Sequence, residues 1–482
     1  MDFVDGHSHL DRFIESDVNR STLAMVYGRR RIGKSTLLAG VVRDRGGFYW
    51  EATRGETATH LARLGEALGA ELGTGRLAFE SWSEAIGRLL TWDAEGPIPI
   101  VLDEFGYVLE TEPGLPSVIA AALGPGARIS TTTGRARLVL CGSAITVMRA
   151  LTAGEAPLRG RAGLELVMQP LNFRRARRHA FPVDDLELAS RVFAVIGGVI
   201  GYATDMVDHD LPRDAGDFDR WIAERVLSPA ATLHHEATTL LAEDPSLAGA
   251  SPAIHHSILS AIANGSVTAG TIANRLRRSV SNLAPALNRL VAAGFVTRHE
   301  DPIRSQRPLY ALADPFLQFH YAVLEPHATL LRDRRPRDVW ERTLSVTFDS
   351  RVRGPVFEEQ ARTWVRRWAG AATLGGEPVH VGPSNAVIDG REHQLDLLVA
   401  AEVTGGAPSD RTVLAIGEAK CGERITPAHL HRLEIARAAL GARAARARLL
   451  LVGPRFTEDV ERQAVGRYDV ELVDLERLYG GS

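Results

Sequence analysis

The most constraining stretch of this 482-residue chain is Gly28-Arg29-Arg30-Arg31-Ile32-Gly33-Lys34-Ser35. It follows the apolar run Leu23–Tyr27 and precedes a helical pattern over Ser35–Arg43. A turn of this form between a strand and a helix fits G-x-x-x-x-G-K-[ST] and commits the segment to phosphate. Glycines let backbone N–H groups wrap phosphate oxygens, and the helix N-terminus adds its positive end. Lys34 then reaches the β- and γ-phosphates, and the Ser35 hydroxyl ligates Mg²⁺, with Thr36 beside it in the first turn. The expected ligand is ATP with Mg²⁺, cradled from Gly28 to Thr36. Alternation of strand and helix patterns through the N-terminal third predicts a parallel-sheet α/β domain.

Two further strands end in chemistry. Ile98–Leu102 runs into Asp103-Glu104. Asp103 is expected in the Mg²⁺ shell, and Glu104 is expected to orient or deprotonate the attacking water. The plain alternative is a strand ending in a solvated acidic turn. Leu138–Cys141 ends in Gly142-Ser143, where Ser143 is either a polar contact beside the γ-phosphate or the N-cap of the next helix.

Of the 56 Lys+Arg residues only Lys34 and Lys420 are lysine. In so arginine-biased a chain, a retained lysine marks a place where a planar guanidinium does not replace a compact ammonium. Lys420 closes the strand pattern Val413–Lys420, on which Glu418 and Lys420 project to the same side. Asp396 lies on a second strand, Gln394–Val399, and Glu358 near the start of a helix over Val356–Trp368. Such a set supplies metal-dependent phosphodiester cleavage with its parts. Glu358, Asp396 and Glu418 would hold Mg²⁺ or Mn²⁺, and Lys420 would place the nucleophilic water or offset phosphorane charge. The alternative is a charged pair on an edge strand.

Between them, Ile254–Leu312 has the rhythm of three helices and a hairpin, a winged helix-turn-helix. Thr268 reads as an N-cap and Pro285 as a first-turn proline. Gly294 closes the third helix, and Phe295–Arg298 pairs with Pro308–Leu312 as the wing. The whole chain carries a net charge of −3, yet Ser266 to Tyr310 holds seven arginines against two acids. That patch suits DNA phosphates, with Asn282, Asn288 and Arg289 toward a groove. A protein-packing role is the alternative. The expected domains are residues 1–175 (nucleotide-binding core), 176–245 (helical lid), 246–325 (winged helix) and 341–482 (C-terminal α/β domain). The charged stretch Arg332–Arg337 marks a linker over 326–340. No apolar run approaches the ~18 residues of a membrane span. The start, with Asp2, Asp5 and two histidines, is unlike a signal peptide. Cys141 and Cys421 form no disulfide or metal pattern. A cytoplasmic protein without a membrane partner is expected.

Taken together, Phe3-Val-Asp5, GRRRIGKS, IVLDEF, LCGS and PLRGR resemble the archaeal-type P-loop ATPase family within the AAA+/STAND class, over roughly residues 1–240. The resemblance implies an AAA+-like ATPase with a helical lid, a possible homo-oligomer, and an arginine, here Arg161, that reaches the transferring phosphate from a neighbouring subunit or from within its own. Where that family has Arg-Glu after its opening Phe, this chain has Gly6-His7. Asp314-Pro-Phe-Leu-x-Phe, with the stretch from there to the end of the chain, resembles the region often joined to these ATPases. Asp396…Glu418-x-Lys420 resembles the PD-(D/E)xK motif of restriction-endonuclease-like domains, with Gln394 where an acid often stands. The implied function is nucleotide-governed DNA binding with metal-dependent DNA cleavage. The rival is a non-nucleolytic STAND-type switch or transcriptional regulator that binds DNA through the winged helix.

Overall fold

The computed structural model describes residues 3–16, 20–92, 96–124, 135–247, 251–305, 307–403 and 405–482. Of the opening Phe3-Val-Asp5, the side chains of the first two lie outside the described residues. The chain gathers into two compact units. The first runs to Leu171 and takes in two short returns, at Val199–Gly201 and from Glu243. The second holds Asn172–Gly198, Tyr202–Ala242 and the remainder.

The first unit is built on five parallel strands: β1 (Thr22–Tyr27), β2 (Phe48–Glu51), β3 (Ile98–Asp103), β4 (Ala136–Gly142) and β5 (Ala162–Val167), in the order β2-β3-β4-β1-β5. β1, β3 and β4 are nearly continuous apolar runs because both faces are covered, and Leu23, Met25, Ile100, Leu102, Leu138 and Leu140 are all fully buried. Parallel pairing brings the carboxyl ends of all five strands to one edge of the sheet. The loop after β1, the acids after β3 and the serine after β4 therefore meet there. Helix α1 (Lys34–Arg45) starts at the lysine itself, from a left-handed Gly33 with φ 92°.

In the second unit a helical stretch that includes α2 (Leu186–Ile196) is followed by the winged helix. Its elements are α3 (Pro252–Ala263), α4 (Ala269–Arg275), α5 (Val280–Ala292) and the antiparallel hairpin β6 (Val296–His299)–β7 (Leu309–Leu312). Thr268 caps α4 through a reciprocal pair of hydrogen bonds with Thr271. Ser279 caps α5 by accepting from the Asn282 N–H. That cap starts α5 earlier than expected and puts Pro285 in the helix interior, not its first turn. An interior proline costs about 3 kcal/mol through its missing donor.

The expected linker at 326–340 is occupied by the helices Ala328–Asp333 and Pro336–Val339. Its charges face outward while Leu331, Val339 and Trp340 are buried. The C-terminal part follows with α6 (Gly354–Arg367), β8 (His380–Ile388), β9 (Arg391–Ala400), β10 (Val413–Ala419), α7 (Pro427–Ala439), β11 (Arg448–Val452) and β12 (Val470–Val473). Its sheet runs β12-β11-β10-β9-β8. The first three strands in sequence are antiparallel, and the last two add in parallel behind α7. Asp389 and Gly390, with φ 49° and 73°, make the tight turn between β8 and β9. Among the described residues no helix is long and apolar enough to cross a membrane.

Candidate functional site

At the carboxyl edge of the first sheet, the loop after β1 is shaped by close approach. A Cβ on Gly28 would lie 2.4 Å from the Met168 carbonyl oxygen and 2.7 Å from Ile32 Cδ1. Only glycine fits there. Arg31 and Gly33 both take positive φ, 65° and 92°. Ile32 is buried and anchors the loop from below. The Arg31 carbonyl accepts from the Gly201 N–H at 2.8 Å. Arg30 is committed elsewhere, to Glu243 and to the Tyr107 hydroxyl. Arg29 is buried. Of the expected phosphate cradle, then, the Arg30 side chain is engaged by Glu243 and Tyr107.

Lys34 is buried and donates from Nζ to the Arg29 carbonyl oxygen at 2.8 Å, so its ammonium is drawn over the loop. Ser35 and Thr36 are exposed at the mouth. Asp103 is almost fully buried, and its two oxygens accept from the Tyr49 hydroxyl at 2.6 Å and the Glu104 N–H at 2.7 Å. Burial first, and then the Asp103 charge, push the Tyr49 phenol well above its ordinary value, while the Ser35 hydroxyl acts the other way, easing ionisation of the phenol. Glu51, opposite Asp103 across the β2–β3 pairing, is likewise raised by burial and by the Asp103 and Glu104 charges. Neither Tyr49 nor Glu51 was expected from sequence. Their position at the end of the strand beside the acid-bearing strand was the available signal.

Glu104 sits in the left-handed region with φ 48°, a conformation that costs a non-glycine residue roughly 1–2 kcal/mol. Its Oε2 accepts from the Ser143 hydroxyl at 2.9 Å. β4 lies between β1 and β3, which is why Ser143 stands between the loop and the acid. The two alternatives for Ser143 are thereby separated. The helix that follows begins at Ile145 from Ala144, without a side-chain cap. Cys141 is fully buried, and burial, then Asp103, raise its thiol. The donor set of one exposed hydroxyl, Ser35, with the Asp103 carboxylate fits Mg²⁺, which relies on few protein ligands beside phosphate.

Arg161 is placed differently. It immediately precedes β5, whose first residue pairs with Leu23 while Val167 pairs with Tyr27. Arg161 is therefore at the opposite edge of the sheet from Gly28, roughly 20 Å along the strand direction at ~3.3 Å per residue. An arginine side chain does not span that gap, so a role for Arg161 toward the phosphate of its own chain is excluded.

The second lysine lies in the other unit. Asp396 on β9 and the end of β10 are neighbours, and Asp396 Oδ2 accepts from the Ala419 N–H at 3.0 Å. Lys420 Nζ stands 3.4 Å from Asp396 Oδ2 and 3.4 Å from Glu418 Oε1, bridging the two carboxylates. Arg432 of α7 takes Glu418 Oε1 at 2.6 Å. Arg362 of α6 lies 3.7 Å from Glu358 Oε2 and donates to the Asp396 carbonyl oxygen at 2.6 Å. Burial and the Asp396 charge raise the Glu358 carboxyl, against Arg362 and Lys420. Burial acts to raise Glu359 too, but Arg362, Arg366 and His299 outweigh it and hold that carboxyl at about 2. Burial would lower Lys420, yet Asp396, Glu418 and Glu358 leave it raised. The expected residues are thus gathered, but as an ion-pair network. Among the described residues no three His, Cys, Asp or Glu side chains converge as metal ligands. Glu358 Oε2, Asp396 Oδ2 and Glu418 Oε1 are each met by a cation of Arg362, Lys420 or Arg432.

On the winged helix, Asn282, Asn288 and Arg289 are exposed on α5, and Arg275, Arg277 and Arg278 are exposed on α4 and the turn. The MarR family matches residues 249–302, which takes in α3 to β6. The chain is 25% identical over 336 residues to the uncharacterized protein MJECL04 of Methanocaldococcus jannaschii, covering 69% of this chain and 71% of that one. Among solved structures it is similar to the Walker-type ATPase PABY2304 of Pyrococcus abyssi (TM-score 0.43, 18% identity, 69% of this chain and 95% of that chain). It is also similar to the ORC2 protein of Aeropyrum pernix in its ADPNP–ADP complexes (0.41, 15%, 68% and 93%). The Cdc6p of Pyrobaculum aerophilum gives 0.34, 14%, 69% and 94%.

Proposed function

We propose that this protein binds and hydrolyses ATP with Mg²⁺ and couples the nucleotide to DNA binding through its winged helix. One observation carries the reading: the phosphate loop, Lys34, Ser35, Asp103, Glu104 and Ser143 meet at the carboxyl edge of a single parallel sheet. Backbone N–H groups of the loop and the Lys34 ammonium hold the β- and γ-phosphates. Ser35 and Asp103 hold Mg²⁺, which would neutralise charge on the phosphates. Glu104, fixed by the Ser143 hydroxyl, orients the attacking water and takes its proton. Arg161 serves only if it is presented to a neighbouring copy of the chain. The MarR-family match and the exposed arginines of α4 and α5 support duplex DNA as the partner.

A second reading, DNA cleavage by the C-terminal part, is favoured by the juxtaposition of Asp396, Glu418 and Lys420 on adjoining strands. Against it stands the neutralised state of those acids. One set of assays separates the readings. Glu104→Gln is expected to retain ATP while turnover falls by on the order of 10²–10⁴; normal turnover removes Glu104 from the role of base. Plasmid incubated with Mg²⁺ or Mn²⁺, with and without ATP, stays intact unless the second reading holds. Cutting that disappears in Lys420→Ala would establish it.

A further inference from the structure

A winged helix ordinarily offers DNA two surfaces, the recognition helix and the wing. Here the wing is already occupied. Between β6 and β7 the chain runs into the C-terminal sheet, where Ile303 is buried within that sheet's hydrophobic core. Asp301 is buried, and both its oxygens accept from the Ser384 hydroxyl of β8, at 2.9 and 3.0 Å. Its Oδ1 also takes the Ile303 N–H at 3.0 Å. Arg411 donates to the Pro302 carbonyl oxygen at 2.9 Å. Gly382 makes room for this, since a Cβ there would lie 2.9 Å from the Glu300 carbonyl oxygen. The wing cations are paired as well, Arg298 with Glu300, and Arg304 and Arg307 with Glu392.

The arginines at the other end of the motif are in the opposite condition. Arg275, Arg277, Arg278 and Arg289 are exposed, and among the described residues none has a carboxylate within ion-pair distance. Arg277 is the telling one. It ends α4 at the position where the Arg277 N–H bonds the Asn274 carbonyl and the Arg278 N–H bonds the Ala273 carbonyl. That is the left-handed helix end where glycine is the usual residue, and Arg277 has φ 51°. A cation is kept there at a cost in backbone strain.

We infer that duplex DNA is held by the α4–α5 face alone, through Arg275, Arg277, Arg278 and Arg289, while the wing serves as the clamp that fixes the C-terminal sheet to the winged helix. This rests on the DNA-binding reading above and names the surface it uses. Four phosphate contacts give a slope of log K against log salt of roughly −3.6, at about −0.9 per contact.

The test uses the full chain and a labelled duplex about three helical turns long, titrated over a range of salt. Arg277→Gly relieves the backbone and so keeps the fold. It and Arg278→Ala are each expected to shallow the slope by about 0.9. Arg304→Ala and Arg307→Ala are expected to leave slope and affinity unchanged. If the wing variants shallow the slope as much as the turn variants, the wing touches DNA and this inference is overturned. If wild type shows no salt-dependent binding, the DNA-binding reading itself falls, which is a different result.

Discussion

Each of the chain's two lysines sits among carboxylates or beside them, and the two are used in opposite ways. Lys34 gives its hydrogen bond to a neutral carbonyl, and the nearby acids are held by neutral partners, the Tyr49 and Ser143 hydroxyls and a backbone N–H. Among the described residues Lys34, Asp103 and Glu104 form no ion pair with one another. Lys420 is placed between Asp396 and Glu418, and Arg432 and Arg362 complete the neutralisation. In the proposed reading the first arrangement meets a charged ligand. The second satisfies itself. Residue type and spacing alone do not distinguish these states. What distinguishes them is whether opposite charge is supplied from within the fold.

The contrast is broken most directly by removing each ammonium. Lys34→Ala is expected to abolish tight ATP binding and to lower turnover by at least on the order of 10²–10³, as for loss of a charge-stabilising donor in a closed site. Its effect on folding is small, since only one neutral hydrogen bond is lost. Lys420→Ala reverses the pattern. ATP turnover stays as in wild type, while the second unit loses about 1–3 kcal/mol because Asp396 is left buried beside Glu358 and Glu418. Turnover assays and urea denaturation of both variants read this out. A Lys420→Ala protein with unaltered stability would mean the network is not the sink of charge described here.

A finer cut lies within the first site. Glu104 holds a left-handed backbone and one hydrogen bond from Ser143. Glu104→Gly recovers roughly 1–2 kcal/mol of strain and forfeits about 1 kcal/mol of hydrogen bonding. Stability should therefore stay within about 1 kcal/mol of wild type, while turnover falls at least 10²-fold, the order of a lost general base. Thermal melts alongside ATPase assays check both halves. A large loss of stability would show that Glu104 is placed there by packing and not by function.

Much of the first site could be read from residue order, because its parts are local. The glycine loop, Lys34 and Ser35 are contiguous, and Asp103-Glu104 directly terminates an apolar strand. Parallel pairing then brings separate strand ends to one edge without further instruction. Tyr49 and Glu51 escaped notice because their relevance comes from the β2–β3 register, which no local pattern encodes. Whether Arg161 serves its own chain or a neighbouring copy was open in the sequence for the same reason: its distance from Gly28 depends on which end of β5 it precedes. Over the linker expected at 326–340, surface charges conceal the buried Leu331, Val339 and Trp340, which no local charge pattern reveals. At the C-terminal cluster, spacing placed Asp396, Glu418 and Lys420 together. It did not place Arg362 and Arg432, which arrive from α6 and α7 and change the chemistry.

The smallest expected effect is also the one most specific to the self-satisfied cluster. Glu358 is raised above the ordinary carboxylate range by burial and by Asp396. A carboxyl raised in the folded state binds its proton more tightly there than in the unfolded chain. Its contribution is present below the unfolded value and is lost as pH rises through the folded one. Glu359, held at about 2, behaves oppositely: its contribution is present above the unfolded value and disappears as pH falls toward 2. The second unit should therefore weaken on both sides, through Glu359 in acid and through Glu358 on the way to neutral and above. Glu358→Gln keeps the shape and removes only the second limb. Relative to wild type it should gain roughly 1 kcal/mol at about pH 8 and nothing near about pH 4. Urea midpoints measured across that range decide it. An unchanged pH slope in Glu358→Gln would mean that Lys420 and Arg362 already hold the Glu358 carboxylate charged, and that the cluster carries no proton of its own.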